Sequence, residues 1–143
     1  MLKKVFTEKI RKEMIKNSKK ILKKKKGCWF CPDITEHEKF KNYIEQLALS
    51  AANNVKSNLK IKNSWIAYST GEKEIDFHNH NSDYSLVYYM QTNSKNSGTM
   101  FKNGFVKSKQ NDALIFDSAL FHKVPNYKPK SDRRTLVLEL NKI

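Results

Sequence analysis

Cysteine is almost missing from this chain: Cys28 and Cys31 are the two in 143 residues, too few for a disulfide scaffold. Arginine is nearly as rare, with three residues against 25 lysines. Phosphate forks and base-edge readout favour arginine, so the composition argues against a dedicated nucleic-acid reader. No apolar run approaches the roughly 18 residues a spanning helix needs. The N-terminus starts with charge and lacks the apolar stretch and small-residue cleavage site of a secretory signal. These absences predict a soluble, cytoplasmic protein. What is present suffices for a core: 38% hydrophobic and 11% aromatic residues, in a length that suits one domain.

The net charge of +14 is unevenly spread. Residues 1–26 hold 12 Lys/Arg against Glu8 and Glu13, a net +10, which leaves +4 for the other 117 residues. Enrichment in Lys, Asn and Ile is a common mark of nucleotide bias, so the segment reads either as a solvated basic helix or as an arm making a weak polyanion contact. Phe6, Ile10 and Met14 recur every four residues, which predicts a helix with one apolar face, ending near Gly27. Cys28-Trp29-Phe30-Cys31 follows. Its spacing suits zinc or a redox pair. Zinc needs four ligands and His37 alone lies near, while a redox motif of the thioredoxin kind needs a preceding strand. The other reading is an apolar anchor with two incidental thiols.

A second helix is predicted over about residues 35–56. Thr35 and Glu38 have capping-box spacing, and Phe40, Tyr43, Ile44, Leu47, Ala48 and Ala51 hold one face. After about residue 61 the period changes from 3.6 to 2. Strands are predicted at 65–68, 75–80, 85–91, 98–101, 113–116 and 135–141. Helices followed by many short strands predict an α+β, mainly β chain: a small sandwich or jelly roll with N-terminal supporting helices. The domain plan is a Lys-rich helical segment over 1–26 and a single jelly-roll domain over 27–143.

Three of the four histidines stand out. His78 and His80 lie two apart on a predicted strand, so their imidazoles share a face. Two neutral imidazoles make half of a mid-sized transition-metal site. His122 comes some 40 residues later, after a strand whose connection returns to the barrel mouth. The alternative is three surface histidines in an Asn-rich loop.

The order of features over residues 65–141 resembles the 2-oxoglutarate/Fe(II) oxygenase superfamily, closest in pattern to small oxygenases of the prolyl-hydroxylase-like branch. The residues carrying the resemblance are Trp65, Gly71, His78-Asn79-His80, Ser85-Leu86-Val87-Tyr88-Tyr89, Gly98-Thr99-Met100-Phe101, Leu114-Ile115-Phe116-Asp117-Ser118, His122-Lys123-Val124-Pro125 and Arg133-Arg134-Thr135. The resemblance implies a double-stranded β-helix (jelly roll, cupin-like) with Fe(II) at its open end. His78 and His122 would be metal ligands. His80 stands where the superfamily usually has Asp or Glu, so the ligand set is His78, His80 and His122, with Asp76 as an alternative ligand of matching strand parity.

The same resemblance implies a cation for the far carboxylate of 2-oxoglutarate, held by a planar bidentate fork. Arg133 fills this role, with Arg134 as the alternative on the opposite face, and Tyr89 and Thr135 as further 2-oxoglutarate contacts. Arg133 inward puts Thr135, Val137 and Glu139 on its face and leaves Leu136, Leu138 and Leu140 to pack outward against a helix. Glu139 would then be buried unless it lies at the rim. The implied activity is a non-haem dioxygenase (hydroxylase) coupling oxidative decarboxylation of 2-oxoglutarate to hydroxylation of a further substrate by dioxygen. The alternatives are a cupin-like metal protein or dioxygenase without 2-oxoglutarate, favoured by the missing carboxylate, and a basic nucleic-acid-binding module. The chain is short for the superfamily, which leaves a homo-oligomer open.

Overall fold

The computed structural model describes residues 1–24, 33–71 and 76–143. Cys28, Cys31 and the expected helix stop at Gly27 lie outside the described residues, as does Ile75. Among the described residues the order is α1 (Glu8–Lys24), α2 (Lys41–Val55), β1 (Leu59–Ser69), β2 (Tyr84–Gln91), β3 (Gly98–Phe101), β4 (Gly104–Lys107), β5 (Ala113–Asp117), β6 (His122–Lys123) and β7 (Arg133–Lys142). The strands form two sheets, β1-β7-β2-β5 and β4-β3-β6, with antiparallel pairing throughout. This is the mainly β double-stranded β-helix with two N-terminal helices that the sequence predicts.

The major sheet has two different faces because strand residues alternate. Leu136, Leu138 and Leu140 of β7 join Leu86, Tyr88 and Met90 of β2 under the helices. From α2 come Ile44, Leu47 and Ala51, with Phe40 just ahead of it, all at 0% exposure. From α1 comes Met14, preceded by Phe6, whose ring meets Tyr88 edge-on at 5.2 Å. The basic segment is therefore a cover for the sheet. It is also tied by polar bonds: Arg11 donates to the Met90 carbonyl, Asn111 donates to the Phe6 carbonyl at 2.6 Å, and Leu2 bridges Ala113. Its lysines at positions 9, 12, 16, 19 and 20 face solvent.

Two expected elements differ. The second helix begins at Lys41, six residues after the expected cap, and no side chain caps it. Thr35 is already engaged: its hydroxyl and main-chain N–H both donate to Asp33 Oδ1. Its hydroxyl also lies 2.7 Å from that of Ser64. Residues 35–40 make turns closed by His37 N–H to the Ile34 carbonyl and Phe40 N–H to the His37 carbonyl. Nor is the segment before His80 a regular strand. Asp76 and Phe77 are irregular, and His78 makes an isolated antiparallel bridge to His122. The β3–β4 hairpin was not anticipated as a pair. It needs Gly98, whose φ is +135° and where a Cβ would meet Phe105 Cζ at 2.4 Å and the Val106 carbonyl at 2.5 Å.

Candidate functional site

The inner face of the major sheet carries polar residues in rows. Register pairs Glu139 of β7 with Ser85 on β2 and Asn63 on β1, Val137 with Val87 and Trp65, and Thr135 with Tyr89 and Ala67. Arg133 ends the strand opposite Ser69. Opposite this face the minor sheet brings Thr99 and His122. Arg133, Thr135 and Glu139 line with Thr99 and His122 a cavity of about 550 Å³ that also receives His78 and His80, a size within the ordinary range of ligand sites.

The three histidines meet there. One ring nitrogen from each lies within 4.8 Å of the others, and ring centroids are 4.5 Å apart for His78–His122 and 5.1 Å for His80–His122. Main-chain bonds set this arrangement. His78 and His122 exchange N–H···O bonds of 3.0 and 2.9 Å, and the His80 N–H donates to the Ser118 carbonyl at 3.0 Å. Ser118 is itself anchored, its hydroxyl 2.7 Å from those of Ser82 and Ser85.

Each imidazole has its Nδ1 beside an oxygen acceptor. His122 Nδ1–H donates to the Leu120 carbonyl at 2.9 Å and His78 Nδ1–H to the Asp76 carbonyl at 3.0 Å. His80 Nδ1 lies 2.9 Å from Glu139 Oε1. A carbonyl can only accept, so in His78 and His122 the proton sits on Nδ1 and the Nε2 lone pair is free. Ligating histidines are oriented in this way by partners on the other ring nitrogen. Burial pushes the His122 pKa down to about 4, with the Leu120 carbonyl opposing and His78 and His80 adding to the shift. Burial, then His78 and Lys62, also lowers His80. The set thus offers three ring nitrogens in a half-apolar cavity, and it fits a borderline transition-metal ion.

At another part of the same cavity lies Arg133, 3% exposed. Its Nε donates to the Asn96 carbonyl and its Nη2 to the Gly98 carbonyl, both at 2.9 Å. No carboxylate among the described residues pairs with it. Burial lowers its pKa, against the pull of Tyr89 and Tyr127, but a guanidinium keeps its proton at any ordinary pH. A buried cation of this kind, held by neutral carbonyls, attracts an anion into the cavity. Arg134 lies on the other face of β7, stacked on Tyr68 at 4.4 Å and bonded to Gln91 and Asp132.

The sequence-predicted residues fall as follows. His78, His80, His122, Arg133 and Thr135 line one cavity. Asp76 is exposed and meets His78 through its main-chain oxygen, and its carboxylate is not part of the histidine cluster. Tyr89 is fully buried behind the wall, its hydroxyl 2.6 Å from Thr99 Oγ1 and its ring 5.8 Å from the Arg133 guanidinium carbon. Sequence reasoning missed Thr99 as a lining residue and the Asn96 and Gly98 carbonyls that hold Arg133. A glycine ahead of a strand pattern, Gly98, was the available signal for the last.

No protein-family model matches the chain, and no curated protein matches it by sequence. Solved structures do. HygX from Streptomyces hygroscopicus, crystallised with nickel and 2-oxoglutarate bound, superposes with a TM-score of 0.74 at 12% identity, covering 96% of this chain and 80% of that one. The non-haem α-ketoglutarate-dependent epimerase SnoN from nogalamycin biosynthesis gives 0.79 at 8% identity, covering 99% and 75%. The viral collagen prolyl hydroxylase of Paramecium bursaria Chlorella virus-1, a truncated form, gives 0.71 at 16% identity, covering 97% and 86%. This chain shares its fold, a double-stranded β-helix, with these proteins.

Proposed function

We propose that the chain is a non-haem Fe(II)-dependent dioxygenase that uses 2-oxoglutarate and hydroxylates a further substrate. One observation carries the reading: three clustered histidines share a cavity with a buried arginine that has no carboxylate partner among the described residues. A bound Fe(II) ion would supply the activation of dioxygen coupled to oxidative decarboxylation of the oxoacid. His78, His80 and His122 would hold it. The Arg133 fork would bind the far carboxylate of 2-oxoglutarate, with Thr135, next on the same face of β7, offering a hydroxyl. Tyr89 supports Arg133 from beneath and fixes Thr99, in place of the direct co-substrate contact expected of it. Trp65, Val87 and Val137 give the cavity apolar walls that exclude water.

The absence of a carboxylate from the His78-x-His80 pair favours a second reading, a cupin-like dioxygenase that needs no 2-oxoglutarate. Release of succinate from 2-oxoglutarate, dependent on Fe(II), separates the two. The first reading expects succinate release by the wild type and its loss in Arg133→Ala. Oxygen consumption that is indifferent to 2-oxoglutarate and to Arg133→Ala would favour the second.

A further inference from the structure

Where a carboxylate ligand is expected, the chain has His80, and a carboxylate stands behind it. Glu139 Oε1 is 2.9 Å from His80 Nδ1, with both side chains nearly buried at 12% and 15% exposure. Glu139 is not a stray charge at the rim. Its strand is central in the major sheet, and its main chain is held in register with Ser85 on one side and Asn63 on the other. His80 is fixed at its main chain by Ser118 and along its ring by Trp65, at 5.5 Å between centroids. Neither contact decides which ring nitrogen carries the proton. The Glu139 contact does: an acceptor at Nδ1 keeps the hydrogen there and aims the Nε2 lone pair at the other two histidines.

We propose that Glu139 is the positioning residue for His80: it selects the Nδ1–H tautomer, orients the imidazole toward His78 and His122, and supplies from behind His80 the carboxylate that an all-histidine ligand set lacks. The inference deepens the metal-centre reading and rests on it. It also explains why a glutamate is tolerated on an inner sheet face between apolar and hydroxyl neighbours. Carboxylate partners of this kind raise the basicity of a ligating histidine, and their loss typically costs about 10–100-fold in metal affinity.

Two measurements on the full chain test it. Long-range ¹H–¹⁵N spectra of the metal-free protein report the tautomer of each histidine. Calorimetric titration with Co(II) reports affinity. In wild type His80 should be the Nδ1–H tautomer. In Glu139→Ala it should become a mixture while His78 and His122, which bond to main-chain carbonyls, keep theirs, and Co(II) affinity should fall about 10–100-fold. Glu139→Gln retains an oxygen acceptor of nearly the same shape. It should keep the His80 tautomer and lose less affinity. An unchanged His80 tautomer in Glu139→Ala overturns the proposal, as does unchanged Co(II) affinity alongside an altered tautomer. A wild-type chain that takes up no Co(II) overturns the metal-centre reading instead, and the spectra still decide whether Glu139 orders His80.

Discussion

The two faces of β7 have been put to opposite uses. On one, Leu136, Leu138 and Leu140 are fully buried beneath two helices and carry no polar group. On the other, Arg133, Thr135 and Glu139 are nearly as buried, at 3%, 1% and 9% exposure, yet each carries one. The first face stabilises the fold by removing apolar surface from water, at about 25 cal/mol per Å². The second costs stability, because buried polar and charged groups must replace lost hydration. It tolerates this through the Asn96 and Gly98 carbonyls at Arg133 and through His80 at Glu139. A strand that accepts such residues on one face needs the other to be strongly apolar, and α1 with α2 provides that cover.

The contrast breaks most severely if the cover is removed. Deleting residues 1–24 takes away Phe6, Met14, the Arg11 bond to Met90 and the Leu2 bridge. Each large side chain contributes about 1.5–3 kcal/mol when buried, so thermal or urea melts should show a loss of several kcal/mol or no cooperative transition. A truncated chain that melts like the full one would mean that α1 is a dispensable arm. On the strand itself, Leu138→Ala should lower stability by about 2–5 kcal/mol while metal affinity in the folded fraction stays near wild type.

Changes on the polar face should divide the other way. Arg133→Ala should weaken 2-oxoglutarate binding by about 2–5 kcal/mol, and Arg134→Ala, one residue along but on the opposite face, should do little. Calorimetric binding of 2-oxoglutarate to the metal-loaded protein measures both. A reversed pattern would mean that the inward arginine has been misassigned. His122→Ala should abolish stoichiometric metal binding. Its ring packs on Phe116 at 4.8 Å between centroids, so a stability loss of about 1–3 kcal/mol should accompany it.

A further effect is in pH. The His122 pKa falls from 6.5 to about 4 on folding, chiefly through burial. Between those values the unfolded chain binds the proton more readily than the folded one, so stability is lost as pH falls. The contribution is fully present above about 6.5, declines toward 4 and amounts to roughly 3 kcal/mol at most. Urea melts of the metal-free protein at pH 7 and pH 4.5 should show the drop, and His122→Asn should show less of it. Equal slopes would contradict the burial argument.

Much of this was legible because it follows from periodicity. The Ile44–Leu47–Ala51 stripe and the alternation of β7 need only the helical and strand repeats, whereas His78 and His80 meet through an isolated bridge to His122 and a main-chain bond to Ser118 rather than on a regular strand. The late start of α2 was not legible, because Thr35 is held by Asp33 and Ser64, a contact across 29 residues. The polar partners of the site were hidden for the same reason. Asn96 and Gly98 reach Arg133 only through tertiary packing, and Glu139, which the sequence marks as the cost of an inward arginine, meets His80 only in the folded chain.

The central claim is that the histidine cluster and Arg133 serve one site. An anaerobic titration of the purified chain with Fe(II), with and without 2-oxoglutarate and followed by visible absorption, tests it most directly. The account predicts a charge-transfer band that needs both components, saturates at one Fe(II) per chain and disappears in both His78→Ala and Arg133→Ala. A band that forms without 2-oxoglutarate, or that survives Arg133→Ala at the same 2-oxoglutarate concentration, would contradict it.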